Sequence, residues 1–181
     1  MELENHKPIR NLNLPIFLTG FMGSGKSAVG QALSDLLGRP FIDLDTRIEA
    51  KADRSIPDII TSDGEERFRQ LESEALREVM KMGATVIALG GGAILLAENR
   101  ELISGHGVSV WLDVPFEVCW QRIQQDGLIR PLAPDEMTAR TRYEQRLPLY
   151  QQSSIHITAG PDKSPADLAA EILQQLDSAG A

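Results

Sequence analysis

One cysteine, Cys119, occurs in 181 residues, so no intrachain disulfide can staple the chain, and a reducing compartment fits. Cys119 is expected to pack a helix. Basic residues are also scarce: 18 Lys and Arg stand against 26 Asp and Glu, a net charge of −8. Phosphate backbones reward clustered Lys and Arg, so a nucleic-acid partner is not expected, and any anionic ligand must be held by a few local arginines. Long hydrophobic runs are missing as well. Residues 1–13 are polar and mixed in charge, without an apolar stretch of signal-peptide type, and the apolar run 86–97 carries three glycines and is too short to span a bilayer. The expectation is a cytoplasmic monomer with no membrane partner. His6, His106 and His156 show no partner spacing, and none is assigned chemistry.

With 42% hydrophobic residues, the chain is long enough for one core that buries about 70% of its unfolded surface, and too short for two ordinary domains. A single domain over 14–181 is expected, with 1–13 as a flexible extension. Strand-length apolar runs recur at 14–18, 40–42, 85–89, 108–112 and Ile155–Thr158. Segments of helical periodicity lie at 26–37, 46–51, 56–61, 65–82, 94–103, 115–124, 138–150 and 165–176. This alternation predicts an α/β fold, a five-stranded parallel sheet flanked by helices in three layers. Ser164, Pro165 and Asp167 form a capping box at the last helix. Residues 124–137 break the rhythm with Gly127, Pro131 and Pro134 among charges, as expected of a mobile lid.

The most informative segment follows the first strand. Gly20-Phe21-Met22-Gly23-Ser24-Gly25-Lys26-Ser27 fits G-x-x-x-x-G-K-[ST], the phosphate-cradling loop. Glycines let the backbone curl with its N–H groups inward, and the next helix adds the favourable end of its dipole. Gly23, Ser24, Gly25, Lys26, Ser27 and Ala28 are therefore candidate ATP contacts, with Lys26 reaching the β/γ-phosphates and Ser27 offering its hydroxyl to magnesium.

Other candidates gather at predicted carboxyl ends of strands, where open α/β sheets bind ligands. In Phe41-Ile42-Asp43-Leu44-Asp45, strand alternation puts both acids on one face, one for a magnesium shell and one for an acceptor. Equally, Asp45 serves as a helix N-cap and Asp43 as a turn residue. Asp113 ends another strand and competes for the metal role. Gly90-Gly91-Gly92 allows a ligand close to the backbone. Arg69, Arg130 and Arg146 read either as ligand clamps or as ordinary ion-pair partners.

In order, the phosphate loop, Asp43-x-Asp45, Gly64-Glu65-x-x-Phe68-Arg69-x-x-Glu72, the glycine triplet, Arg130-Pro131-Leu132 and Arg146-x-Pro148-Leu149-Tyr150 resemble the shikimate kinase family. The resemblance runs from about residue 14 to 150. It implies a fold like that of nucleoside monophosphate kinases, and transfer of the ATP γ-phosphoryl group to the 3-hydroxyl of shikimate on the route to chorismate and the aromatic amino acids. It also implies that Asp43 joins the magnesium water shell and that Asp45 is the base at the acceptor hydroxyl. Arg69 and Arg146 would clamp the shikimate carboxylate, Gly90, Gly91 and Gly92 would meet its hydroxyl side, and Arg130 would close on the transferring phosphate. Arg122 is a looser match on the adenine side. The runs Ala133-Pro134-Asp135-Glu136 and Gln151-Gln152-Ser153-Ser154 depart from the expected pattern. A gluconate-type kinase of the same fold and a nucleotide-binding regulator without turnover are the competing readings.

Overall fold

A computed structural model describes residues 13–179. The expected extension, apart from Asn13, and His6 lie outside the described residues. All four residues of β1 (Ile16–Thr19) are buried. A central parallel strand covered on both faces has no solvent side, which is why its sequence is a continuous apolar run. β1 pairs with β3 (Val86–Ala88) on one side and β4 (Val108–Asp113) on the other. β2 (Phe41–Asp43) lies beyond β3, and β5 (Ile155–Thr158) beyond β4, so the order is β2-β3-β1-β4-β5, all parallel. Only the edge strand β5 alternates buried and exposed positions.

Helices cover both faces. α1 (Lys26–Leu37) buries Val29 and Leu33 and packs on α7 (Pro165–Ala179). The α7 box forms as read: the Asp167 amide donates to Ser164 Oγ at 3.2 Å, and the Ser164 amide to Asp167 Oδ2 at 2.9 Å. α4 (Ala97–His106) and α5 (Phe116–Asp126) flank β4 in sequence, and α6 (Glu136–Tyr150) precedes β5. Among the described residues no helix is long and apolar enough to cross a membrane.

Two expectations need correction, and a third gains detail. The strand before Asp43 ends there, because α2 (Leu44–Ala52) starts at the next residue; Asp43 and Asp45 therefore do not share the face of an extended strand. The expected helices 56–61 and 65–82 are both present: they form the run α3 (Ile56–Val79), divided at Gly64 where φ 86° and ψ 164° are not helical, with a tight 3-10 turn, Met80–Met82, after it. The helix expected at 94–103 is a 3-10 turn, Ala93–Leu95, followed by α4.

Candidate active site

The loop between β1 and α1 curls because its glycines take backbone angles that side chains resist. Gly20, Gly23 and Gly25 have φ of 146°, 76° and 91°. Gly23 is fixed by space as well, since a Cβ there would lie 2.6 Å from the Cys119 carbonyl oxygen on α5. Lys26 folds back into the loop and donates to the carbonyls of Gly20 and Phe21, each at 2.9 Å. Burial pushes its ammonium down to about 8, against the opposing pull of Asp45. Ser24 is buried inside the loop, while Ser27 and Ala28 are exposed in the first turn of α1. Arg122 on α5 donates to the Gly23 carbonyl at 3.1 Å, so it braces the phosphate loop itself.

Ser27 Oγ donates to Asp43 Oδ2, so a hydroxyl and a carboxylate converge beside the phosphate loop. Hard oxygens of this kind suit Mg²⁺. Among the described residues no cluster of three His, Cys, Asp or Glu could cage a metal, so a cation here would lean on a ligand's own oxygens. Asp113 stands on the far side of β1 at the end of β4 and does not line the acceptor cleft. Asp43, not Asp45, caps α2: its Oδ1 accepts the amides of Asp45 at 3.0 Å and Thr46 at 3.2 Å. Asp45 is thereby left without a capping duty. Burial, then the nearby Glu72 and Asp43 charges, push its carboxyl up to about 7.

Beside it opens a cleft of about 490 Å³, where α2, α3, the loop after β3, α6 and the 127–135 segment meet. Arg69, Arg146, Asp45 and the glycine triplet all line it. Two of the three glycines are short of room: a Cβ on Gly92 would strike the Arg69 guanidinium, and one on Gly90 would strike Glu72 and Asp45. Arg69 is held by Glu72 at 2.8 Å and Glu65 at 3.0 Å. Arg146, 3% exposed, pairs with no carboxylate among the described residues, and its Nη2 is buried without a partner. Of ten such unpartnered buried side-chain atoms, five belong to cleft residues: Asp45, Arg69, Glu72, Arg130 and Arg146. Native interiors satisfy nearly all such groups, so this concentration marks where a polar ligand completes the network.

The segment expected to be a lid is shorter than 124–137, because α5 runs on to Asp126 and α6 starts at Glu136, capped by Asp135. Leu128 and Ile129 at its tip are 65% and 78% exposed. Arg130 pairs with Asp126 at 2.5 Å.

Three participants were given no role in the sequence reading, although Glu72 and Tyr150 stand in its motifs. Glu72 is wholly buried and is the counter-charge of Arg69; the signal was its i+3 spacing. Arg142 pairs with Glu65 at 3.3 Å and ties α6 to α3, a contact across 77 positions that no local pattern carries. Tyr150, fully buried, donates to the Gly91 carbonyl at 2.6 Å.

The family model described as shikimate kinase matches residues 22–177. A shikimate kinase of Symbiobacterium thermophilum is 42% identical over 170 residues, covering 91% of this chain and 97% of that protein. The solved shikimate kinase from Acinetobacter baumannii in complex with shikimate superposes with a TM-score of 0.89 at 39% identity, covering 96% of this chain and 98% of the other. A gluconokinase from Sinorhizobium meliloti covers 93% of this chain and 95% of its own at 18% identity and a TM-score of 0.57, a likeness of fold alone.

Proposed function

The chain belongs to the shikimate kinase family, and we propose how its own residues carry out that family's reaction. The enzyme is an ATP-dependent phosphotransferase that moves the γ-phosphoryl group to the 3-hydroxyl of shikimate, a step in aromatic amino acid biosynthesis. The observation that carries the residue assignment is Arg146, a buried guanidinium without a carboxylate partner, facing the same cleft as Asp45 and the glycine triplet.

The nucleotide's phosphates lie in the 20–27 loop, with Lys26 leaving the Gly20 and Phe21 carbonyls to meet the β- and γ-oxygens. Ala28 follows at the helix start, and Arg122 keeps the loop's Gly23 peptide in place. Ser27 would hold Mg²⁺ through its hydroxyl and Asp43 would join the ion's water shell; bound there with ATP, the ion would supply positive charge to the phosphates. Arg146 and Arg69 clamp the shikimate carboxylate, since fork-shaped guanidinium groups match a planar carboxylate. The N–H groups of Gly90, Gly91 and Gly92 meet the hydroxyl side. Asp45 takes the proton from the attacking hydroxyl, a role suited to a carboxyl raised to about 7. The lid then closes and brings Arg130 to the transferring phosphoryl group, where its charge stabilises the transition state.

The reading takes the enzyme to act as a monomer in the cytoplasm. A coupled assay of ADP release tests it: turnover is expected with ATP, Mg²⁺ and shikimate, and not with gluconate in shikimate's place. Equal turnover with gluconate, or none with shikimate, overturns the reading.

A further inference from the structure

The hydroxyl of Tyr150 stands where two halves of the acceptor site meet. It donates to the Gly91 carbonyl at 2.6 Å, and the Arg146 guanidinium, one turn back on its own helix, lies close enough for its charge to act on the phenol. Its ring is fully buried and stacked on Trp111 on β4, with 6.3 Å between centroids and 17° between planes. The phenol therefore cannot swing into solvent. Burial pushes it up to about 12, so it stays a neutral donor at any working pH.

The glycine triplet needs such an outside partner. Consecutive glycines have the least intrinsic backbone preference and no side chain to hold them. The following 3-10 turn fixes two of the three carbonyls: Ala93 N donates to Gly90 O at 3.1 Å, and Leu95 N to Gly92 O at 3.0 Å. The Gly91 carbonyl takes no part in that turn, and its partner is Tyr150. Within one planar peptide the carbonyl and the next N–H point in opposite directions, so holding Gly91 O sets where Gly92 N–H points. The three triplet amides donate to no acceptor among the described residues and line the cleft. Arg146 is as close on its side: a Cβ on Gly91 would lie 3.4 Å from Arg146 Nη1.

We propose that Tyr150 is a positioning residue for the acceptor: by joining Arg146 to the Gly91 peptide, it fixes the spacing between the guanidinium and the amide donors that together read shikimate. This rests on the functional reading above. Tyr150→Phe removes one oxygen and keeps the ring. The KM for shikimate is expected to rise about tenfold, as for the loss of one charge-assisted hydrogen bond, with kcat within about threefold and the KM for ATP within about twofold. In an Arg146→Lys background the same substitution should raise the shikimate KM by less than about threefold, because the guanidinium whose spacing it fixes is already gone. A purely structural tyrosine would lower thermal stability and leave the shikimate KM alone.

A second measurement does not depend on how well the variant folds. The chain has two tyrosines, so 3-fluorotyrosine incorporated into a Tyr143→Phe protein labels position 150 alone. Its fluorine resonance is expected to move on adding shikimate and to stay put on adding an ATP analogue. A folded Tyr150→Phe enzyme with the wild-type shikimate KM, or a fluorine resonance indifferent to shikimate, overturns the proposal. Loss of shikimate-dependent ADP release by the unmodified protein sinks the functional reading instead, so the two failures are told apart.

Discussion

At the phosphate end of the cleft, eight consecutive residues, 20–27, supply loop, lysine and hydroxyl. At the acceptor end, Asp45, Arg69, Glu72, the triplet at 90–92, Arg146 and Tyr150 come from four separated segments. The first end works through backbone N–H groups whose geometry is set by local glycine angles and one helix start. The second works through side chains held by other side chains, several wholly buried. The difference teaches where function and stability are coupled. Local backbone geometry survives a side-chain deletion, whereas a network closed across the fold transmits a change at one member to the rest.

The largest expected effect lies at the phosphate end and should leave the fold untouched. On the proposed reading Lys26→Ala removes the cation at the β/γ-phosphates, and kcat should fall roughly 10³-fold or more, as for other groups that stabilise phosphoryl-transfer charge. Since Lys26 is held in a site that burial disfavours for its charge, the melting temperature should not drop. A melting curve beside the ADP-release assay checks both; a folded Lys26→Ala protein with near wild-type turnover breaks the assignment.

Asp45 is next, and it belongs to both ends. Asp45→Asn should lower kcat by roughly 10²-fold or more through loss of the base. Its effect on stability has a definite sign. The folded-state carboxyl, near 7, is raised above its unfolded value, so the wild type loses stability as pH climbs from about 4 to about 7 and the buried group ionises. The Asn variant carries no such loss. Its melting temperature should equal or exceed the wild type's at pH 8, with the gap narrowing toward pH 5, whereas equal kcat and parallel melting curves in the two proteins would leave Asp45 with no special role.

The two clamping arginines sharpen the comparison further. Arg69→Lys and Arg146→Lys should each weaken shikimate binding by about 1–3 kcal/mol while ATP binding barely changes, because lysine keeps charge but loses the fork. They should differ in stability. Arg69 neutralises the wholly buried Glu72 and also pairs with Glu65, so its loss leaves a buried acid poorly satisfied; Arg146 has no carboxylate to abandon. Calorimetric titration with each ligand plus thermal melts separates these outcomes. A variant that loses both ligands equally would mean that the two ends are not independent.

The same contrast explains what could be read from the chain. The strand and helix alternation, the phosphate loop and the α7 cap were legible because periodicity, glycine angles and capping chemistry are local. The resemblance supplied the rest of the site, and the structure gathers Asp45, Arg69, Gly90, Gly91, Gly92 and Arg146 around one cleft. Local rules misplaced the Asp43-Leu44-Asp45 turn, where a cap at Asp43 starts the helix two residues before the expected Thr46. The break between the helices at 56–61 and 65–82 was legible, because Gly64 leaves the helical angles there. Arg142 and Tyr150 owe their importance to partners far along the chain, which short spacing does not encode, whereas the spacing of Glu72 to Arg69 was legible and only its burial was not.

The smallest effect concerns the segment that must join the two ends, and Arg130 carries it. Arg130 is the one basic residue between 124 and 137, and it is held by Asp126, which also accepts the Leu128 amide at 2.9 Å. In the proposed mechanism, closure breaks the Arg130 to Asp126 pair before that charge reaches the phosphates. Arg130→Ala should therefore reduce kcat far more than it changes the binding of either substrate. Asp126→Asn acts in the other direction: it removes a partly exposed pair worth about 0.2–1 kcal/mol, so closure becomes easier and the KM for ATP should fall by no more than about threefold. Hydrogen exchange reports the motion itself. Amides over 126–132 ought to slow when an ATP analogue and shikimate are both present, because ordering the segment removes them from solvent. Exchange indifferent to ligands, together with full activity of Arg130→Ala, would reduce the segment to a surface loop and leave the two ends of the cleft without a moving link.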